Sequence, residues 1–128
     1  MIPDYWKEFL EANDLIEKDF ELSESEDLSG VGADFSLMSF EDIIDEAENY
    51  YPGIKVKEDG FIPVGSCQIG TGDPYFINKK EGKNGALYRI YHDSVTDEGY
   101  DHESAIDKVL DHYETLLNQR SNQSGDGQ

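Results

Sequence analysis

The groups in this chain that could do chemistry are three histidines, one cysteine, one glycine-rich stretch and many carboxylates. His92 stands directly before Asp93, the order of a base and its orienting carboxylate, but neighbours in a strand point to opposite faces and no Ser or Cys is marked by spacing as a nucleophile. His92, His102 and His112 make no His-x-x-x-His or Glu-x-x-His pair, and the single Cys67 adds no thiolate cluster, so no metal site is expected. Gly65-Ser66-Cys67-Gln68-Ile69-Gly70-Thr71-Gly72 resembles a phosphate-cradling loop, yet Thr71-Gly72 stands where that loop needs Lys and Ser or Thr. Two glycines in a tight hairpin closed by Asp73 account for it better. Acidic pairs such as Asp97 and Glu98 could be the acid and nucleophile of a glycosidase, but among 29 acidic residues such pairs carry little information. Neither catalysis nor a cofactor is expected.

The charge itself says more. With 29 acidic against 10 basic residues, the formal net charge is -19. That disfavours nucleic acid and anionic membranes as direct partners, since both would bring like charges together. Tyr50, Tyr51, Tyr88, Tyr91, Tyr100 and Tyr113 would suit base stacking only with basic residues interleaved, which they lack, so core packing and protein contact are preferred. The charge suits either solubility or steering toward a basic partner, and complementary fields raise association rates by about ten to a thousand fold at low salt. There is no apolar run of membrane-spanning length and no secretory start in Met1-Ile2-Pro3-Asp4, and a lone cysteine fits a reducing compartment, so the expected location is the cytoplasm. Cys67 itself is expected to be buried or half-buried, with no cation or His beside it to activate the thiol.

Elements must hold these groups in place. The spacing of Tyr5, Trp6, Phe9, Leu10 and Ile16 predicts an amphipathic helix from Ile2 to Lys18, with Pro3 in its first turn. Asp19 to Asp34 reads as an acidic loop with a short strand. Ser39, with Asp42 three positions on, predicts a capped helix through Ile43, Ile44 and Ala47 to about Tyr50, stopped by Tyr51-Pro52-Gly53. Short strands at Ile54 to Lys57, Phe61 to Val64, Ser66 to Ile69, Pro74 to Asn78 and Ala86 to Tyr91 follow, joined too tightly for crossover helices and therefore mainly antiparallel. Ala105, Ile106, Val109, Leu110, Tyr113, Leu116 and Leu117 then form an apolar stripe that predicts a closing helix. The reading is α+β: one domain over 1–118, a central mainly antiparallel sheet flanked by about three helices, and a disordered polar tail over 119–128.

The order of several short motifs carries a resemblance. Ile2-Pro3-Asp4-Tyr5-Trp6-Lys7-Glu8-Phe9-Leu10-Glu11-Ala12-Asn13 is followed by Phe61-Ile62-Pro63-Val64-Gly65, by Gly70-Thr71-Gly72-Asp73-Pro74-Tyr75-Phe76 and by Gly85-Ala86-Leu87-Tyr88-Arg89-Ile90-Tyr91-His92-Asp93. This series resembles the SUKH superfamily, the Smi and Knr type of domain, over Ile2 to Leu117; Asp14 after Asn13 departs from the glycine common there. The resemblance implies an α+β domain with no cofactor and no catalytic residue. In bacteria most members of that superfamily look like immunity proteins that bind and inhibit a cognate polymorphic toxin, often a nuclease, while fungal relatives act as scaffolding regulators of cell-wall assembly.

Joined to the charge, the resemblance implies an acidic inhibitor whose carboxylates take the place of nucleic-acid phosphates on a basic nuclease toxin. The candidate partner-binding residues are Glu24, Glu26 and Asp27 in the acidic loop, and Asp93, Asp97, Glu98, Asp101 and Glu103 between the strand at Ala86 to Tyr91 and the closing helix. A regulatory or scaffolding module without a toxin is the other reading.

Overall fold

The computed structural model describes residues 2–67 and 73–118. Helix α1 (Asp4–Ala12) opens after Pro3, with Asp4 at the positive end of its dipole, and buries Trp6, Phe9 and Leu10 at helical spacing. It ends before the expected Lys18. Asn13 turns its Nδ2 donor onto the Phe9 carbonyl at 2.9 Å, and Asp14 and Glu17 adopt φ of 54° and 63°, which a helix cannot continue. Helix α2 (Phe40–Asn49) starts as its sequence demands, the Ser39 hydroxyl accepting from the Asp42 amide at 3.2 Å.

Six strands form one sheet in sequence order: β1 (Asp19–Leu22), β2 (Ala33–Leu37), β3 (Phe61–Cys67), β4 (Tyr75–Asn78), β5 (Leu87–Ile90) and β6 (Ile106–Leu110). Every neighbouring pair is antiparallel, as the short connections require. β2 was not expected as a strand; its inward Ala33, Phe35 and Leu37 alternate with half-exposed residues, a strand period in only five positions. Tyr75, Phe76 and Ile77 on β4 are all buried, so that strand is covered on both faces. The larger apolar cluster takes Trp6 and Leu10 from α1, Ile43 from α2, and Phe35, Val64, Tyr75, Leu87 and Val109 from the sheet. A smaller one, on Phe61, Phe76 and Ile90, is closed by Val56, Val95 and Ala105.

Two expectations are corrected. Ile54 to Lys57 is not a strand: it lies in a single helical turn, α3 (Gly53–Val56), and a 3-10 turn from Lys57 to Asp59. Gly53 lets that turn abut α2, because a Cβ there would stand 2.4 Å from the Glu46 carbonyl oxygen. The closing helix is replaced over most of its length by a short α4 (His102–Ala105), strand β6 and a 3-10 turn at Tyr113–Thr115, and only 116–118 are helical at its end. Leu87 pairs with Leu110 while Tyr88 pairs with Lys108, so Val109 is the extra residue of a bulge. The bulge turns Val109 and Leu110 inward together, and the resulting stripe imitates a helical period. Strand geometry wins because the β5 edge needs a hydrogen-bonding neighbour. The strand expected at Ser66 to Ile69 is the end of β3 as far as Cys67, which is half-buried; Gln68 to Gly72 and the tail over 119–128 lie outside the described residues. Among the described residues, no helix is long and apolar enough to cross a membrane.

The sheet curls, and the β1–β2 loop closes it. The Leu28 amide donates to the Val109 carbonyl at 2.9 Å, joining a loop from one end of the strand order to the strand at the other. Beside it, the Arg89 guanidinium reaches from β5 to Asp27 Oδ2 at 3.0 Å, the Ser29 hydroxyl at 2.6 Å, the Gly32 carbonyl at 2.8 Å and the Tyr75 hydroxyl at 3.1 Å. The Asp27 and Arg89 side chains are 0% and 6% exposed, so each would be a buried uncompensated charge without the other. Arg89→Ala should therefore lower unfolding free energy by about 3–5 kcal/mol, and the Asp27→Leu/Arg89→Met pair should regain part of that loss. Urea unfolding followed by the fluorescence of buried Trp6 measures both.

Candidate functional site

Seven of the eight candidate carboxylates are exposed: Glu24, Glu26, Asp93, Asp97, Glu98, Asp101 and Glu103. Asp27 is the exception, and its expected part in an exposed acidic face is corrected. It is 2% exposed and bound to Arg89, with Oδ1 accepting from the Ser29 amide and hydroxyl at 2.7 Å each. Glu24 and Glu26 remain on the β1–β2 loop, where Glu26 Oε1 accepts from the Ser23 amide at 2.8 Å. The other five share the β5–β6 connection. Asp93 lies in a 3-10 turn (His92–Ser94), Asp97 and Glu98 lie between Thr96 and Gly99, and Asp101 caps α4 by accepting from the Glu103 amide at 3.1 Å.

Cations are too few to neutralise such a surface, and phenols take over part of the work of satisfying it. Tyr51 donates to Asp97 and Tyr88 to Glu81, while Tyr91 donates to Asp107 and Tyr100 to Asp59 at 2.5 Å each. For Tyr88 and Tyr100, burial first and the bonded carboxylate second push the phenol well above its ordinary pKa. For Tyr51 and Tyr91, the carboxylate bond leads and the direction is the same. His102 stacks on Tyr100 with centroids 4.8 Å apart and brings Nε2 to 3.8 Å from Asp59. These contacts fix the Tyr51 ring beside the Thr96–Gly99 turn and join the end of α2 to the β5–β6 connection.

His92 and Asp93 do meet, contrary to the strand geometry expected for them, because the 3-10 turn brings their side chains round to one another. His92 Nε2 lies 3.1 Å from Asp93 Oδ1, and Nδ1 lies 2.6 Å from Asp73 Oδ1, which also accepts from the His92 amide at 3.0 Å. Both ring nitrogens face carboxylates, so the ring ties Asp73 to the β5–β6 connection and directs neither nitrogen at a hydroxyl or thiol. Among the described residues, no group of three or more His, Cys, Asp and Glu is placed to hold a metal ion. A shallow groove of about 490 Å³ over the sheet has Phe61, Tyr88 and Ile106 in its floor. Its rim carries both signs, Lys80 and Lys108 against Asp59 and Glu81, and so selects no ligand charge.

Arg89 is the residue that sequence reasoning missed. Arg89 had a signal: it alternates with Leu87 on the inward face, so a cation occupies an apolar position and requires a buried acid. Tyr51 is expected in packing or protein contact, but its bond to Asp97, 46 positions away, has no sequence signal.

Raised phenol pKa values fix the sign of an alkaline effect. The unfolded chain loses these protons near pH ~10 while the fold retains them, so their contribution is whole below about pH 10 and disappears as pH rises through the folded values. Tyrosinate absorbance should rise together with loss of the circular dichroism of the fold. Tyrosinate formed in a chain that keeps its full stability would contradict the phenol–carboxylate bonds.

The chain matches no family model, no curated protein and no solved structure with which it was compared, so the likeness drawn in the sequence rests on the order of its motifs.

Proposed function

We propose that this protein is a cytoplasmic immunity protein of the SUKH type that binds and neutralises a basic toxin domain, a nuclease in the reading we favour. The observation that carries the proposal is the exposure of seven of its eight candidate carboxylates in a chain of net charge -19. A nuclease groove built for phosphates presents Lys and Arg, and carboxylates on a rigid surface can occupy the same positions. The motif series from Ile2-Pro3 to His92-Asp93 supports the family, and the antiparallel α+β sheet is compatible with it.

The charge sets the kinetics. Approach to a basic partner is accelerated by the whole field, so removing rim charges acts on association more than on dissociation. Replacing Asp97, Glu98, Asp101 and Glu103 by their amides should slow association with the cognate toxin domain, sought by co-expressing neighbouring reading frames, and flatten its salt dependence. The Glu24→Gln/Glu26→Gln variant gauges the loop separately. Stopped-flow association at low and at physiological salt, about 0.15 M, measures this, alongside protection of co-expressing cells. An unchanged association rate and unprotected cells would remove the reading.

A further inference from the structure

Five large hydrophobics are exposed among the described residues, and three of them, Ile44, Tyr50 and Tyr51, fall within eight positions at the end of α2. Ile44 and Glu48 stand one helical turn apart on the exposed side of α2, and Asp45 is held by the Asn49 amide at 2.8 Å. The bond from Tyr51 to Asp97 sets an acid from the β5–β6 connection against the same ring. This segment thus offers exposed aromatic and aliphatic side chains with carboxylates among them, the composition of a protein interface whose rim is charged. Tyr51, exposed yet held by Asp97, loses little conformational freedom on binding, which suits it as an anchor.

We infer that the Ile44–Tyr50–Tyr51 surface, with Glu48 and Asp97 at its edge, is the docking face for a basic protein partner. The inference rests on the partner class proposed above and adds where that partner sits. The sign of the rim selects the occupant: Asp45, Glu48 and Asp97 repel phosphate, so the rings do not serve a nucleic acid, whereas Lys or Arg beside an apolar contact meets both parts of the surface. The same crowding appears within α2, where burial, then Asp45 and Asp42, raise the pKa of Glu46; a cationic partner relieves it. The other exposed apolar pair, Leu28 and Val31, lies on the loop that closes the sheet, which commits that segment to the fold.

Two peptide probes test the face on the isotope-labelled full chain: an octapeptide of alternating arginine and leucine, and octalysine as a measure of charge attraction alone. Backbone amide shifts caused by the arginine–leucine peptide should centre on Ile44, Glu48, Tyr50, Tyr51 and Asp97. The Tyr50→Ser/Tyr51→Ser variant should bind that peptide about tenfold more weakly, as loss of an interface anchor does, and octalysine almost unchanged. Ile44→Ser, on the exposed side of a helix, repeats the test without touching the residue before Pro52. Shifts spread over all exposed carboxylates, shifts centred on Leu28 and Val31, or unchanged affinity in both variants would overturn this face while leaving attraction to basic partners in place. No binding of octalysine at low salt would remove the basic-partner reading as well.

Discussion

The buried pair of Asp27 and Arg89 is the constraint on which the rest of the structure depends. A meander of antiparallel strands leaves its first and last strands far apart in the order, and each exposes an edge. Here the β1–β2 loop crosses to the far side and presents Asp27 to β5 and Leu28 to β6. Taking two charges out of water costs several kcal/mol per ion, and attraction offsets this only where the remaining hydrogen-bonding groups are satisfied. Arg89 meets that condition with four oxygen partners, and Asp27 meets it with Ser29 and Arg89. Burial alone would pull the Arg89 pKa down, yet Tyr75 and Asp27 outweigh it and the net direction is up, so the guanidinium keeps its charge. Packing supports the same place: Tyr75 lies under the guanidinium, 5.2 Å from ring centroid to Cζ, and stacks on Phe35 at 4.4 Å. Gly65 makes room for that stack, since a Cβ there would stand 3.1 Å from Phe35 and from Tyr75.

A chain with this charge excess faces a second difficulty, because carboxylates brought together by folding repel one another. The fold meets it with phenols, which donate a hydrogen bond without adding charge. Four tyrosines each hold a carboxylate, and two of them, Tyr88 and Tyr100, also pack on the smaller apolar cluster, Tyr88 edge-on to Phe61 at 5.5 Å. A phenol that donates to a carboxylate leaves the charge of that carboxylate uncancelled. A fold that neutralised its acids with lysines would have little field left to steer a partner.

Local physics was legible in the sequence and long-range physics was not. The Ser39 cap, the antiparallel pairing, the apolar face of α1 and the half-buried Cys67 follow from neighbours a few residues away. The helix expected across Ala105 to Leu117 fails over Ile106 to Leu110 because a bulge at Val109 gives a strand a helix-like stripe, and its register is set by β5. Ile54 to Lys57 reads as a strand until α2 is there for Gly53 to pack against. In the candidate site, exposure of the acids followed from composition, but Asp27 looked like its neighbours Glu24 and Glu26. Only a cation on an inward position 62 residues later distinguishes it.

Closure by the β1–β2 loop makes the loop, β5 and β6 one cooperative unit, and native-state hydrogen exchange at the Leu28 amide tests this most directly. The structure predicts that this amide, bonded to the Val109 carbonyl, opens with the same free energy as the β5 and β6 amides. Exchange at Leu28 as fast as in an unattached loop, with β5 and β6 still protected, would contradict it.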